Sequence, residues 1–488
     1  MKCRLPWKAA AWAVVPVLVA GLIVSLVWMH DPACRQVAED GRLVFSAKRP
    51  PLSKDDGGFA IGAQRPMTSW KLAGWFHARF EDLMSWDLNP WRRQRRSFGA
   101  HFWDLCKSDD PADQAMAAEL RERAQEWYRQ MLERYPEFAI ELRDVPPEQN
   151  GFLKMLELAE RLEAEGTGSF QPDLPLSPTL RDHFDDGGKW NPAEARQWLA
   201  EHADLMEEIR AIGLLPDQSV TGIDLARWFV ISSKVYRSAA QALLAEAHLA
   251  ADEGRTADAM QSVQAARGLA HHLGDIESPT LLNETVNILL IRTVAGYTMD
   301  QILPALPAGE IDPVTWEQVV DPPVSPPSHF AELMKAEWRI SSQALLLPML
   351  ADTTDPYYPP DVADLLDTHA LLNLRLAERF SSDKVSDWAQ LGDTSNGEPD
   401  LSHLSSTSRE AVGTFFIGAN AWCRGLRRAV AEDAMQRAAY SLMKGEPVPY
   451  DPFFGQPYRW NPETRELRAP DTPEFSEFDL RPIVVPRP

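Results

Sequence analysis

The chain has only four cysteines in 488 residues, and it lacks the short motifs that identify several large enzyme families. So few cysteines cannot form a disulfide framework. The sequence contains no H-E-x-x-H zinc motif, no phosphate-binding G-x-x-x-x-G-K-[ST], no G-x-G-x-x-G and no G-x-S-x-G. These absences argue against a nucleotide-dependent enzyme, an H-E-x-x-H metalloenzyme and an α/β-hydrolase.

The remaining chemical signals are weak. Two S-x-x-K tetrads begin at Ser381 and Ser441, but no Lys-Thr-Gly or Ser-x-Asn partner motif accompanies them. The adjacent histidines His271 and His272 predict an exposed helix end, where an imidazolium stabilises the helix dipole. Among 71 Asp and Glu residues, no pair stands out, and Asp185-Asp186 and Asp361-Asp364 are no better than others. We therefore predict no catalytic residue, no cofactor and no metal.

Basic residues are scarce beyond the first quarter of the chain. Residues 1–110 contain 16 Lys and Arg against 11 Asp and Glu, whereas residues 111–488 contain 33 against 60. Nucleic acid is bound by neutralising its phosphates with Lys and Arg, and an acidic body repels it. We therefore expect no nucleic-acid partner.

A membrane span is predicted near the N-terminus. Between Ala9 and Met29 the chain has 21 residues without a charge, and at ~1.5 Å per residue they cross the hydrocarbon core of a bilayer. The positive-inside rule places the N-terminus in the cytoplasm and the bulk of the chain outside it, as a single-pass membrane protein. A cleaved signal peptide and a lipid-modified Cys34 are the alternatives. The basic residues before the span are Lys2, Arg4 and Lys8.

Outside the cytoplasm, three cysteines meet an oxidising compartment. One disulfide can form among Cys34, Cys106 and Cys423, and the sequence does not select the pair. Cys423 lies on an apolar helical face, which favours a small buried hydrophobe.

The segment after the membrane is divided into two parts. Residues 31–66 are rich in Pro, Gly and charge and predict a stalk. Residues 67–165 predict a Trp- and Arg-rich helical segment, whose basic cluster lies either against anionic lipid or, as we favour, on a helix packed against the acidic body. This membrane-proximal cluster consists of Arg92, Arg93, Arg95 and Arg96.

Residues 190–445 predict a body of helical hairpins. Apolar residues recur at three- and four-residue spacings through residues 224–303, which predicts three successive helices. Pro192 after Asn191 predicts the start of one helix that includes residues 193–215. Gly254 predicts the end of the first of the three helices, and Thr256 the cap of the second. A last long helix is expected over residues 405–444. In residues 446–488, the segments 458–460 and 467–469 flank the turn residues Asn461-Pro462-Glu463-Thr464, which predicts a small β-hairpin.

Two resemblances follow from these patterns. The turn from Glu253 to Ala259 and its small flanking residues resemble a tetratricopeptide-type repeat in residues 225–303. The whole arrangement resembles a group of uncharacterised bacterial membrane-anchored envelope proteins, with Asp451-Pro452-Phe453-Phe454-Gly455-Gln456-Pro457 as the sharpest motif. The resemblance implies a mainly α architecture, with a transmembrane helix, stacked helical hairpins and a C-terminal β-hairpin, and it implies no activity. It also implies a location in the bacterial inner membrane, with the bulk of the chain in the periplasm.

The function that this reasoning favours is a non-catalytic, membrane-anchored scaffold or partner-binding protein. Its surface for a protein partner is expected to expose aromatic side chains. A glycan hydrolase of the helical-toroid type, with two facing carboxylates, is one alternative. A component of a secretion system or of envelope assembly is another. The candidate partner-binding residues are Trp338, Tyr357 and Tyr358.

Overall fold

The computed structural model describes most of the chain beyond residue 110. The described residues are 36–38, 42–45, 102, 105–106, 108, 110–165, 173–223, 233–307, 309–321, 328–352, 361–379, 401, 404–405, 408–409, 412, 419–472, 475, 478 and 480–488. The predicted membrane span, most of the predicted stalk, the arginine cluster, Cys34, Tyr357 and Tyr358 lie outside them. Residues 36–38 and 42–45 of the predicted stalk are described, and Gln36 and Leu43 are buried there. In the part of the chain so defined, no helix has the length and apolar character that crossing a membrane requires.

The described part of the chain is mainly helical, as predicted, with twelve helices and a small antiparallel sheet. The helices are α1 (Pro111–Arg134), α2 (Gly151–Glu165), α3 (Pro178–Asp186), α4 (Pro192–Glu201), α5 (Ala203–Gly213), α6 (Ser233–Asp252), α7 (Thr256–Gly274), α8 (Leu281–Tyr297), α9 (Pro313–Val320), α10 (Ser328–Ile340), α11 (Val362–Arg379) and α12 (Ala419–Met443).

Side-chain caps start many of these helices. A cap oxygen accepts a backbone N–H that the first turn would otherwise leave without a partner. In α1, α3, α4 and α9 a proline follows the cap, and its missing N–H costs nothing at that position. The predicted start at Asn191 and Pro192 is confirmed. The caps are Asp110, Ser177, Asn191, Thr280 and Asp312.

Two predicted helix boundaries need correction. Gly254 ends α6 at a φ of +70°, as expected, because only glycine adopts this conformation freely. Thr256, however, does not cap α7, because it is already the first helical residue; the capping position is Arg255, whose side chain makes no capping hydrogen bond. The segment after Pro192 also forms two helices instead of one, with a break at His202.

Two π-helical turns interrupt longer helices, and both end two residues before a proline. They cover Thr298–Ile302 and Ser341–Leu346, and short helical turns at Leu303–Ala305 and Leu347–Ala351 follow them. Proline donates no hydrogen bond and its ring clashes with the carbonyl four residues earlier. A wider turn before Pro304 and Pro348 lets the helix continue despite that clash.

The C-terminal sheet contains the predicted hairpin and one strand more. Strands β1 (Arg459–Asn461) and β2 (Glu466–Arg468) are antiparallel, with Trp460 opposite Leu467. The strand β3 (Ile483–Val484), which the sequence did not predict, pairs with β2 on its other side.

The chain forms two compact units, each assembled from separate stretches. Unit 1 comprises residues 1–139, 338–376 and 394–417, and unit 2 comprises residues 140–337, 377–393 and 418–488. The boundaries of these units do not coincide with the ends of the predicted segments 67–165 and 190–445.

Unit 1 has an aromatic core. The Trp338 ring is fully buried between Phe138, at a centroid distance of 3.9 Å, and Tyr128, at 5.8 Å. Arg134 in the last turn of α1 donates two hydrogen bonds of 2.7 Å to the Asp367 carboxylate, and the Tyr135 hydroxyl donates a third at 2.9 Å. The ion pair is therefore bidentate and mostly shielded from water, which strengthens it.

Unit 2 is built around α6, α7 and α8, of which each packs against the other two, while α5 packs on α7 and α12 on α8. Small residues bring α5 and α7 into backbone contact. A Cβ at Gly268 would lie 1.8 Å from the Gly213 carbonyl oxygen, and a Cβ at Gly213 would lie 2.3 Å from the Ala265 oxygen. Only glycine fits at both positions.

Candidate functional site

The structure corrects the expectation for Trp338. Its side chain is fully buried in unit 1, with a relative exposure of 0%. The residue cannot present an aromatic surface to a partner, because its side chain is buried and stacks on Phe138 and Tyr128. Tyr357, Tyr358 and the cluster Arg92, Arg93, Arg95 and Arg96 lie outside the described residues, and these predictions stay predictions.

The paired histidines at the end of α7 are not both exposed. His272 is fully buried, with Nε2 2.9 Å from the Ile212 carbonyl oxygen. Burial lowers its pKa to about 4, so it stays neutral. His271 is half-buried and lies 3.7 Å from Asp275, and burial lowers its pKa as well. The expected exposed, protonated pair is therefore wrong for His272, which packs the helix end.

Three of the carboxylates named in the sequence analysis have hydrogen-bond partners within the fold. Asp361 is buried, accepts hydrogen bonds from the Ser405 backbone and from the hydroxyls of Ser405 and Ser408, and burial raises its pKa. Asp364 accepts from Gln36. Asp185 accepts from Arg237 and Gln241.

The Asp-Pro-Phe-x-Gly-x-Pro segment owes its pattern to the buried Asp451. The carboxylate accepts backbone N–H groups from Phe453, Phe454 and Gln456 at 2.9, 2.7 and 2.6 Å. Gly455 adopts a φ of +63° within the same turn. The motif is thus a carboxylate-centred turn that directs Phe453 into an aromatic cluster with Phe454, Phe475 and Phe478.

One face of α8 is apolar and exposed. Leu282 and Leu289 are seven residues apart and 56% and 43% exposed. Thr285 and Thr293 lie on the same face, and their hydroxyls donate to the Leu281 and Leu289 carbonyl oxygens of α8 itself, at 2.6 and 2.8 Å. The two threonines therefore present mainly methyl groups outward, and we call these four residues the α8 face.

A second feature lies at the C-terminal end of the same helix. The Tyr297 hydroxyl oxygen is 2.7 Å from His183 Nε2 and 2.8 Å from His248 Nδ1. We call these three residues the His-Tyr-His cluster. It joins three elements, because His183 belongs to α3, His248 to α6, and Tyr297 is the last residue of α8 before a π-helical turn.

The hydrogen bonds fix the direction of each proton for neutral imidazoles. A carbonyl only accepts, so His183 Nδ1, 2.7 Å from the Gly188 oxygen, carries its proton. His183 Nε2 then accepts from the Tyr297 hydroxyl. The Tyr297 oxygen in turn accepts from His248 Nδ1. One imidazole therefore accepts the hydroxyl proton of Tyr297, and the other donates a hydrogen bond to its oxygen.

A further layer holds His248 in place. Its ring stacks on Trp190 at a centroid distance of 4.3 Å, and Nε2 is 3.9 Å from the Asp252 carboxylate. Trp190 in turn donates to Asp252 at 2.7 Å. Burial, opposed by Asp252 and assisted by His183, lowers the pKa of His248 to about 4, and burial raises the pKa of Tyr297. This arrangement holds a neutral imidazole in one orientation.

Sequence reasoning missed this cluster because its members are far apart in the chain. The only local signal is the polar, aromatic stretch that contains His183 and Trp190. Its sequence is equally typical of an ordinary loop. Within the described residues, no three His, Cys, Asp or Glu side chains are grouped as metal ligands.

Comparisons with known proteins leave these features to be interpreted on their own. No protein-family model, no curated protein and no solved structure matches the chain.

Proposed function

We propose that this chain is a membrane-tethered, non-catalytic scaffold whose stacked helical hairpins bind a protein partner on the extracytoplasmic side of the bacterial inner membrane. The uncharged residues 9–29 supply the tether. The α8 face carries the proposal, because it is an exposed apolar row on a body that has 60 acidic against 33 basic residues beyond position 110.

The α8 face fits one kind of partner. Its exposed leucines are two helical turns apart, which matches the side of an amphipathic helix whose apolar residues recur every three or four positions. An acidic body attracts basic segments over distance and disfavours acidic ones. The proposed occupant is therefore an amphipathic partner helix with basic residues along its edges.

The threonines strengthen this interpretation. An exposed hydroxyl that faces water must lose that hydration when a partner covers it. Thr285 and Thr293 already satisfy their donors within α8, so covering them leaves no unpaired hydroxyl hydrogen. The free energy lost when a partner removes water from these two threonines is therefore small.

The test compares a double variant and a control variant of the full-length protein, each purified in mild detergent from membranes of its own host. Leu282→Glu with Leu289→Glu places two charges on the α8 face, and Leu142→Glu is the matched control, because Leu142 is 49% exposed outside α8. Burying a leucine contributes about 1.5–3 kcal/mol, so we expect the double variant to bind its partner at least about 100-fold more weakly. A photocrosslinker at position 289 should capture the same protein.

The outcome against the proposal is equally specific. If the proteins that co-purify in stoichiometric amount are the same for the wild type, the control and the double variant, the α8 face is not the binding surface. If a crosslinker at position 142 captures the partner and one at position 289 does not, the docking surface lies elsewhere on the chain.

A further inference from the structure

We propose that His329 of α10 and Glu284 of α8 form a pH-sensitive contact, which holds the first two turns of α8 at mildly acidic pH and loosens them at alkaline pH. These turns carry Leu282 and Thr285 of the α8 face, so the contact regulates partner binding there. That regulation rests on the proposed function. The contact itself is a property of the fold and is tested without a partner.

Side chains of α10 hold the start of α8 at two points. Glu337 Oε2 accepts the backbone N–H of Leu281, the first residue of α8, at 2.9 Å. This N–H is one of the donors that the start of a helix leaves without an internal partner. One turn further along, Glu284 Oε2 lies 3.6 Å from His329 Nε2. The start of α8 therefore depends on α10 as well as on its own cap, Thr280.

Glu284 is buried on the side of α8 opposite to Leu282. Its side chain is only 1% exposed. The carboxylate accepts a hydrogen bond of 3.0 Å from Asn287 Nδ2, which is a neutral donor. A buried carboxylate lowers stability unless an opposite charge and hydrogen bonds compensate for the lost hydration. His329 supplies such a charge only while its imidazole is protonated.

The carboxylates that act on His329 come from three elements. Glu284 faces it from α8, Asp275 follows the end of α7, and Glu332 lies on its own helix. Burial lowers the pKa of His329, but these carboxylates, with Glu284 first, outweigh burial and raise it. Arg267 of α7 also acts on Glu284, and burial lowers the Arg267 pKa to about 10. Near neutral pH, therefore, His329 titrates and Arg267 does not.

The direction of the pH effect follows from the raised pKa. A histidine whose pKa is higher in the folded protein stabilises the fold fully below its ordinary pKa of about 6.5. This contribution is lost as the pH rises through the folded pKa, and Glu284 then faces a neutral imidazole. Burial also raises the pKa of Glu337, opposed by the Leu281 N–H, so its ionisation acts in the same direction from a lower pH.

Hydrogen exchange measures the contact in the full-length protein in mild detergent, without a partner. Exchange is followed by mass spectrometry and expressed as protection factors, which remove the intrinsic pH dependence of the exchange reaction. Between about pH 6 and pH 8.5 we expect the protection of residues 284–290 to fall by about 10-fold, since one pKa unit is a tenfold change in equilibrium. Residues 259–270 of α7 should change by less than about 2-fold.

Two variants and two controls assign the effect. His329→Gln removes the titrating group and should give the low protection at every pH. Glu284→Gln removes the charge that needs a cation, so its protection should not depend on pH. Glu337→Gln keeps an acceptor for the N–H at the helix start, and His202→Gln changes a histidine at the break between α4 and α5. Both controls should keep most of the wild-type dependence.

The exchange data alone can overturn the contact. Equal protection of residues 284–290 at both ends of the pH range in the wild type would do so, and so would an unchanged pH dependence in a folded His329→Gln. Circular dichroism shows whether each variant is folded. Where a variant unfolds, the wild-type comparison of residues 284–290 with residues 259–270 decides the question.

The photocrosslinker at position 289 tests the regulation separately. Capture of the partner that declines together with α8 protection supports the regulation of the α8 face. Equal capture at about pH 6 and pH 8.5, while protection falls, overturns the regulation. Absence of capture at every pH contradicts the proposed function, and the exchange data then still decide whether the pH-sensitive contact exists.

Discussion

The backbone contact between α5 and α7 makes Gly268 a position where one methyl group should destabilise unit 2. A Cβ at Gly268 would lie 1.8 Å from the Gly213 carbonyl oxygen and 2.9 Å from its carbonyl carbon. Since the obstacle is backbone and not a flexible side chain, α5 must move by about 1.6 Å to regain an ordinary contact. Gly268→Ala tests this packing directly.

The size of the effect is the difference of two terms. Replacing a helical glycine with alanine stabilises a helix by about 0.5–1 kcal/mol. Overpacking a closely packed site costs about 1–3 kcal/mol, and the backbone clash places Gly268 at the upper end. We expect Gly268→Ala to lower the free energy of unfolding by about 2 kcal/mol.

A matched control lies on α8. A Cβ at Gly296 would meet only Gln436 Nε2, at 3.6 Å. Gly296→Ala therefore keeps the helix-propensity gain without the clash and should raise stability by about 0.5–1 kcal/mol. Urea unfolding followed by circular dichroism measures both changes, and hydrogen exchange of residues 203–213 should show α5 losing protection in Gly268→Ala only. If Gly268→Ala proves as stable as Gly296→Ala, the close approach of the two helices is wrong.

Two further predictions concern buried carboxylates of unit 2. Asp451→Ala leaves three backbone N–H groups without their acceptor, so we expect it to lower the free energy of unfolding by about 3 kcal/mol, and Asp451→Asn by an intermediate amount. Thermal unfolding measures both losses. A loss below about 0.5 kcal/mol for Asp451→Ala would contradict the carboxylate-centred turn. His329 lies 3.6 Å from the buried Glu284, and although burial opposes it, this carboxylate raises the His329 pKa. The pair therefore stabilises the fold fully below pH ~6.5 and loses that contribution as the pH rises through the folded pKa. Urea unfolding at a series of pH values should show a smaller decline above pH ~6.5 for His329→Gln than for the wild type, and equal declines would refute the pairing.

Local signals predicted the helices well where the deciding interaction is itself local. The cap at Asn191, the proline after it and the left-handed Gly254 depend only on neighbouring residues. The hairpin of β1 and β2 was likewise predicted from its turn residues, but β3 was not, because its two residues gain their place only by pairing with β2.

Burial decided the features that sequence reasoning missed. Trp338 and His272 occur in patterns that are as common on surfaces as in cores, and only distant partners, Phe138 and the Ile212 carbonyl, cover them. The break at His202 follows no proline or glycine signal. The His-Tyr-His cluster depends on residues 65 and 49 positions apart, and no spacing rule relates them.

The interleaving of the two units constrains the order in which the chain can fold during synthesis. Unit 1 needs residues up to 417, and unit 2 needs α12 and the C-terminal sheet, up to residue 488. A ribosome releases the N-terminal end first, and domains made of one continuous stretch can fold as they emerge. Here neither unit is complete until most of the chain has been made. The early segments, including α1 with its apolar face, therefore remain without their final neighbours during synthesis, and we expect chaperones to protect them in that interval.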